Sequence, residues 1–176
     1  MSSHTSKYVP PNNYDELVLA WIRRARESQF AHYEQATRLR RGSTLLGIPV
    51  IVITAIVGTT VFSSIAQTTT SDNVKIIVGL LSVSASVLSS LQTFMKLSEK
   101  AEQHRVFGAR YGGIRRKLEH IYAARESQPI TSQLLDYLNN DLNALAEEAP
   151  DVPAKAIKKI QATAAFSQAE QIAAKV

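Results

Sequence analysis

The sequence predicts an all-α membrane protein: a hairpin of two helical spans, extended into an antiparallel cytosolic bundle or coiled coil with further C-terminal helices. Residues 42–71 and 76–95 carry no Asp, Glu, Lys, Arg or His. Basic residues crowd just outside both stretches, and the flanking segments repeat apolar residues at helical spacing. A helix needs about 20 apolar residues to cross the hydrocarbon core of a bilayer, so each stretch can span it.

Two alternatives to membrane spans explain the apolar stretches less well. A buried hairpin in a soluble protein would normally keep a charged face on each helix, and neither stretch has one. A chain of 176 residues also has little material left to cover both. Strands of a membrane barrel would alternate apolar and polar residues, and that pattern is missing. The spans remain the better interpretation.

The chain begins with a predicted flexible leader, residues 1–13, which is polar and contains two prolines. It lacks the charged-then-apolar order of a signal peptide. A helix follows over residues 14–41, with one partly apolar stripe. The stripe consists of Tyr14, Val18, Trp21, Ala25, Ser28, His32, Gln35 and Leu39. Because the stripe is incomplete, this helix needs a packing partner.

The first span covers about residues 44–67. It begins either near Gly42 or at Pro49, because proline suits the first turn of a helix. If the helix continues from upstream, Pro49 would instead remove a backbone donor and kink it. We favour the simple helix start.

The second span covers about residues 76–95, and the link over residues 68–75 has one acid and one base. The outer flanks are far more basic. The positive-inside rule then places both termini in the cytoplasm. The residues expected at the headgroups are Arg38, Arg40, Arg41, Lys96 and Lys100.

The second span should run without a break into a cytosolic helix over residues 96–126, in which Gly112 and Gly113 form the weak point. Its apolar line is Leu97, Ala101, His104, Gly108, Tyr111, Ile114, Leu118 and Ile121. The C-terminal region, residues 127–176, should add two helices. One covers about Thr131–Ala149, with leucines on one face. The other starts near Pro153.

A row of small and hydroxyl residues follows one face of the second span. These are Gly79, Ser82, Ser86, Ser89 and Thr93. Small residues allow helices to approach closely, and hydroxyls bond across helices, so helix packing is the simpler interpretation. The alternative is the wall of a water-filled pore formed by several copies. In an oligomer one face can serve both purposes.

His32 and His104 lie about ten residues before the first span and about nine after the second. At 1.5 Å per residue they should meet on facing helices. They can hydrogen-bond each other, share a metal or respond to pH. Tetrahedral sites usually need three or four protein ligands, so we favour an interhelical contact and expect no metal.

The segment "IRRKLEH" places Arg115, Arg116 and Lys117 together. Their simplest role is a solvated or headgroup-facing surface, and an acidic partner protein or a nucleotide is the alternative. No phosphate-binding glycine loop, carboxylate pair or nucleophile–base signature is present. The chain has no cysteine, which removes disulfide and thiolate chemistry. We therefore expect no enzyme, no cofactor and no nucleic-acid binding.

The order of these segments resembles a known family. The helix "AWIRRARESQFAHYEQATRLRR" leads into "GIPVIVITAIVGTTVFSS", and "KIIVGLLSVSASVLSSLQTFMKLSEKAEQHRVFGARYGGIRRKLE" follows. This pattern resembles the SLATT family, the SMODS and SLOG-associating two-transmembrane-helix effector domains of bacterial conflict systems. The resemblance covers residues 14–119 densely, within a SLATT-like region of residues 14–126, and the tail "EEAPDVP" is also similar.

The resemblance implies a bacterial inner-membrane effector of anti-phage defence that oligomerises and forms an ion-conducting or membrane-disrupting pore when triggered. SLATT proteins are often paired with a nucleotide sensor. This chain carries no fused sensor, so the resemblance implies a separately encoded one or a nucleotide ligand. The leading alternative is an oligomeric membrane scaffold that recruits a partner and never conducts. A transporter subunit or a soluble DNA-binding protein fits the spans less well.

Overall fold

The computed structural model describes residues 10–66 and 71–173, with side chains described over 10–63 and 71–163. Its five helices are α1 (Tyr14–Ala66), α2 (Asp72–Met95), α3 (Leu97–Ala123), α4 (Ser132–Glu148) and α5 (Ala154–Ala173). Within the described ranges there is no strand, which confirms the all-α prediction. The predicted leader falls on residues 1–13 and the predicted link on 68–75; positions 1–9 and 68–70 of these lie outside the described residues.

Helix α1 is one helix of 53 residues with Pro49 in its interior. The preference for a helix start near Gly42 or at Pro49 was therefore wrong, because one helix takes in both the segment predicted over 14–41 and the span predicted over about 44–67. Proline costs about 3 kcal/mol inside a helix in water, whereas membrane helices tolerate proline. At the N-terminus, the side chain of Asn13 accepts a bond from the Glu16 backbone N–H at 2.8 Å, which fixes the start.

The second span does not run unbroken into α3. Lys96 lies between α2 and α3 with φ 48° and ψ 38°, in the left-handed region. This conformation ends a helix and is normally taken by glycine or asparagine. The prediction of a continuous helix past residue 95 was therefore wrong, and the cytosolic helix predicted over 96–126 is Leu97–Ala123.

Contacts divide the chain into two units. The bundle unit contains Met1–Gln35 and His104–Val176, and the span unit contains Ala36–Gln103. The core of the bundle unit is formed by α1, α3 and α4. Its buried members are Val18, Tyr111, Ile114, Leu118, Leu135, Leu138 and Leu145. The apolar line predicted for α3 is confirmed over Ala101–Leu118, since Ala101, His104, Tyr111, Ile114 and Leu118 are all buried.

Within the bundle unit, α1 and α3 approach each other at two glycines. A Cβ at Gly108 would lie 2.8 Å from the Tyr33 ring, and one at Gly112 would lie 2.7 Å from Nε2 of Gln29. Both distances are too short for real side chains. Gly112 is thus a site of close packing inside a continuous helix, which corrects the interpretation of Gly112–Gly113 as a weak point.

Helix α4 has the boundaries that its sequence signals predict. Thr131 caps it by accepting a bond from the Leu134 backbone N–H at 3.3 Å. Its buried face consists of Leu135, Leu138 and Leu145. Pro150 and Pro153 then separate α4 from α5, because proline lacks the backbone donor that a helix interior needs.

Candidate functional site

Helix α2 of the span unit has three distinct faces. The face toward α1 is half-buried and repeats at intervals of three and four; it comprises Val78, Leu81, Ala85, Leu88 and Gln92. Antiparallel contacts join the two helices, since Gly42 lies beside Leu97 and Gly47 beside Gln92. A Cβ at Gly47 would come within 3.4 Å of the Gln92 amide, so glycine makes room for this side chain.

The predicted small and hydroxyl row occupies the second face. Gly79, Ser86, Ser89 and Thr93 are exposed, and Ser82 is half-buried at the edge of the α1 contact. An open groove runs along this face between the helices of the span unit. It is lined by Val50, Thr54 and Val57 of α1 and by Ser82, Ala85, Ser86, Ser89 and Ser90 of α2. Five hydroxyl groups therefore share one groove.

Most hydroxyl protons along these helices are already bonded. Ser82 donates to the Val78 carbonyl at 2.8 Å, and Ser86 donates to the Ser82 carbonyl at 3.0 Å. Ser90, Thr93 and Thr54 bond the carbonyl four residues earlier in the same way. Such bonds satisfy the donor without water. The hydroxyl oxygens keep lone pairs that can accept a bond from a partner.

The third face of α2 is apolar and exposed. Leu80, Val83 and Val87 are each more than half exposed, and Phe94 is 86% exposed. On α1, Leu45 and Phe62 are more than 70% exposed. Two helices are long and apolar enough to cross a membrane, and none of their apolar windows is buried. Water does not tolerate so much contiguous apolar surface, whereas hydrocarbon does.

The basic residues predicted near the headgroups lie on the surface of the span unit. Arg38, Arg40, Arg41 and Lys100 are exposed and form no ion pair with the residues that the structure describes. Lys96 pairs with Glu99 at 3.5 Å. These four cations lie close in sequence to the charge-free stretches 42–71 and 76–95, where they suit contact with anionic lipid headgroups.

The basic cluster of the bundle unit is largely used within the chain. Lys117 pairs with Asp141 of α4 at 3.4 Å, and Arg115 pairs with Glu119 at 3.3 Å. Arg116 is exposed and has no ion pair in the described part of the unit. Lys117 thus helps to hold α4 on α3, and Arg116 is the member that remains available to a partner.

His32 and His104 meet inside the bundle unit. Their Nδ1 atoms lie 3.0 Å apart, and the two residues are 3% and 5% exposed. The His32 ring also stacks on Tyr111 at a centroid distance of 5.5 Å. One neutral ring must donate its Nδ1–H and the other must accept at Nδ1, so the two imidazoles hold opposite tautomers.

Burial keeps this pair neutral. Desolvation, with a smaller contribution from the charge of His104, lowers the pKa of His32 to about 4. Desolvation also lowers the pKa of His104. Among the described residues, no three His, Cys, Asp or Glu side chains come close enough to hold a metal ion. The pair is a hydrogen-bonded contact between α1 and α3.

A comparison with protein families, like the two apolar helices, indicates a protein with two transmembrane helices. The profile of the SMODS and SLOG-associating 2TM effector domain family 4 matches residues 24–175. The chain belongs to this family. The match takes in both candidate spans of this SLATT protein and most of its bundle unit. No curated protein and no solved structure matches the chain.

The structure of the SLATT chain shows contacts of several residues that the sequence pattern does not predict. Gln29 is buried against Gly112, and its Oε1 has no hydrogen-bond partner among the described residues. The spacing of Gly108 and Gly112, four residues apart, was the available signal for close packing. Glu34 and Lys159 pair at 2.5 Å across 125 positions of sequence. No local pattern could have joined residues so far apart.

Proposed function

We propose that this SLATT protein is a pore-forming effector of a bacterial anti-phage system. It resides in the inner membrane with both termini in the cytoplasm, and its copies assemble into an ion-conducting or membrane-disrupting pore when triggered. The observation that carries the proposal is the hydroxyl-lined groove of the span unit, formed by Thr54, Ser82, Ser86, Ser89 and Ser90. The hydroxyl oxygens of this groove keep lone pairs that can accept a bond from water or from a neighbouring helix.

In an assembly of several copies, the groove can form part of the wall of a pore. When copies pack around an axis, the open groove of each hairpin becomes part of an enclosed wall, and the apolar face with Val83 and Val87 stays in lipid. The hydroxyl oxygens then replace part of the hydration of a passing ion. Neither apolar stretch carries a charged side chain, so this wall would not impose strong charge selectivity.

The proposed partners follow from the surfaces. Anionic lipids contact Arg38, Arg40 and Arg41, and other copies of the chain contact the hydroxyl face. The cytosolic helices hold the copies together in coiled-coil fashion. A separately encoded nucleotide sensor, or a nucleotide bound directly, supplies the trigger. The proposal includes no catalytic step, no cofactor and no nucleic acid.

Substitution of the groove tests the lining. Ser86→Leu and Ser89→Leu each place a bulky apolar side chain in the groove, and we expect each to lower ion flux through liposomes at least tenfold. Val83→Leu is the matched control, because Val83 is 63% exposed on the apolar face. It should leave flux unchanged. The size of the complex in mild detergent should be the same for all three variants and the unsubstituted protein.

Unchanged flux in both groove variants would show that the lining assignment is wrong. Equal losses in the groove variants and in Val83→Leu would point instead to a general effect of added bulk on the spans.

The non-conducting scaffold is the second candidate, and one observation favours it. Because Ser82, Ser86 and Thr93 already donate to backbone carbonyls, their face can pack against another helix without water. Currents across planar bilayers separate the two functions. A purified oligomer that recruits a partner and never conducts would be a scaffold.

A further inference from the structure

The residue that joins α2 to α3 has an unusual backbone conformation. Among the residues that the structure describes, Lys96 alone has a positive φ, 48°, with ψ 38°. The Cβ of a lysine disfavours this left-handed conformation by a factor of about five to thirty. Met95, Lys96 and Leu97 are all good helix formers, so local preferences alone would join α2 and α3 into one helix. Packing outside the joint therefore keeps Lys96 left-handed.

The left-handed residue changes the direction in which the chain presents its packed positions. In α2 these positions follow one another at intervals of three or four, as from Leu88 to Gln92. After Lys96 the series restarts at Leu97 and continues at Ala101. Gln92 and Ala101 are nine residues apart, so in a continuous helix they would point about half a turn away from each other. The two series could not then face the same neighbour.

Both sides of the joint do face the same neighbour, which is α1. A Cβ at Gly47 would lie 3.4 Å from Nε2 of Gln92, and one at Gly42 would lie 3.4 Å from Cδ1 of Leu97. In a continuous helix Gln92 and Leu97 would differ in direction by about 140°, so only one of these contacts could be kept. The left-handed conformation of Lys96 is what allows both contacts to exist together.

Of the two helices that Lys96 joins, α2 is the less firmly packed. All residues of α2 have described side chains, and none of them is buried. In α3, by contrast, Leu118 is fully buried and His104 is 5% exposed. Elements with few buried contacts move most easily. If Lys96 became helical, α2 would therefore turn by about half a turn, and Ser86 would leave the side of the hairpin on which Thr54 lies.

We propose that the joint at Lys96 is a two-state switch that turns α2. In the left-handed state the hydroxyl groove of the span unit exists. In the helical state α2 and α3 form one helix, and the serines no longer share a groove with Thr54. Local preference favours the helical state and packing on α1 favours the other, a balance typical of switch regions. The inference rests on the proposed pore function, and it adds the motion that forms or removes the pore wall.

Substitution of Lys96 shifts the balance between the two states. Glycine and asparagine tolerate the left-handed conformation, whereas a β-branched valine almost never adopts it. All four variants, Lys96→Gly, Lys96→Asn, Lys96→Ala and Lys96→Val, lose the same charge and the same pairing with Glu99, so differences among them report the backbone. We expect ion flux through liposomes to be at least fivefold lower for Lys96→Val than for Lys96→Gly. Lys96→Asn should resemble Lys96→Gly, and Lys96→Ala should lie in between.

Cross-linking in the full chain separates a turn of α2 from a loss of structure. The natural sequence has no cysteine, so Gly47→Cys can be combined either with Gln92→Cys or with Phe94→Cys. Gln92 faces α1, whereas Phe94 is 86% exposed and lies about 160° away around α2. With a bis-methanethiosulfonate reagent in liposomes, the pair at 47 and 92 should bridge readily in Lys96→Gly. The pair at 47 and 94 should bridge at least fivefold faster in Lys96→Val than in Lys96→Gly.

The bridging pattern decides the proposal independently of conduction. Failure of the pair at 47 and 94 to bridge in both Lys96→Val and Lys96→Ala would overturn the switch, because a joint that only maintains packing has no turned state. Equal flux from Lys96→Gly and Lys96→Val would overturn the connection between the turn and the pore. Absence of flux from the natural protein and from Lys96→Gly would overturn the pore function itself, and bridging would still show whether α2 turns.

Discussion

The contact between His32 and His104 is a buried polar contact of the bundle unit. The two Nδ1 atoms lie 3.0 Å apart, and both rings are almost fully buried. Protonation of either ring would put a charge into a desolvated site between α1 and α3. The neutral pair therefore stabilises α1–α3 packing at neutral pH and loses that role in acid.

The pH dependence of this stabilisation has a definite sign. The ordinary pKa of 6.5 applies to the unfolded chain, whereas the pKa of His32 in the folded protein is about 4. Between these values the unfolded state binds a proton that the folded state does not, so the free energy of unfolding falls as the pH falls from 6.5 to 4. For His32 the loss is about 3 kcal/mol. Urea titration of the full chain in mild detergent, from pH 7 to pH 4, measures it.

The prediction concerns the difference in pH dependence between the natural protein and a variant without the histidine pair. The double variant His32→Leu/His104→Leu removes both partners and should show a shallower pH dependence than the natural protein. His32→Leu alone leaves the ring of His104 without its partner, and should cost about 1–3 kcal/mol at pH 7. Parallel pH curves for the natural protein and the double variant would contradict the assignment.

At the scale of elements, the approach of α1 to α3 depends on two glycines. Gly108→Ala puts a methyl group 2.8 Å from the Tyr33 ring and 3.3 Å from the Gln29 carbonyl, and we expect it to destabilise the bundle unit by about 1–3 kcal/mol. Gly112→Ala meets the amide end of Gln29, which can shift, so its cost should be smaller. The urea midpoint of the full chain is the measurement.

Gly113 is the matched control, because no atom lies within 4 Å of a Cβ built there. Gly113→Ala should stabilise α3 by up to about 1 kcal/mol through the higher helix propensity of alanine. If all three alanine variants gain stability, the two helices do not depend on the close approach.

The sequence was sufficient to predict the elements whose signals are local. Two charge-free stretches predicted the apolar helices, and Leu135, Leu138 and Leu145 with Thr131 and Pro150 predicted α4. Pro49 led to the wrong prediction of a helix start, because a proline inside a membrane helix and one at a helix start look alike in sequence. The break at Lys96 has no sequence signal, since lysine is not a residue that usually adopts left-handed φ.

The candidate site was predictable only in part, because some of its contacts depend on how the helices pack and have no local signal in the sequence. Helical periodicity predicted that Gly79, Ser86, Ser89 and Thr93 lie on one face. The number of residues between each histidine and the nearer span predicted the contact of His32 with His104. The contribution of Thr54 to the same groove depends on how two helices pack. The pairing of Glu34 with Lys159 depends on where α5 packs on α1. The spacing of residues along the chain predicts neither of these two relations.

For the whole molecule, the proposed orientation can be read with single cysteines in the cysteine-free chain. Asp72→Cys, between the two spans, should react with a membrane-impermeant thiol reagent added outside spheroplasts. Lys155→Cys, on α5, should react only after the membrane is permeabilised. The opposite labelling pattern would invert the orientation. Recovery of the protein in the supernatant of lysed cells, without detergent, would remove the membrane assignment altogether.

The backbone-bonded hydroxyls of α2 affect how a solitary copy behaves in a bilayer. Ser82, Ser86, Ser90 and Thr93 each donate a hydrogen bond to a carbonyl of their own helix. These hydroxyl donors therefore need no acceptor from another chain when a single copy lies in the bilayer. A copy that has not assembled can therefore stay in the bilayer without a partner. Under the proposed pore function, ion flux would then rise as a steep power of the surface density of copies rather than in proportion to it.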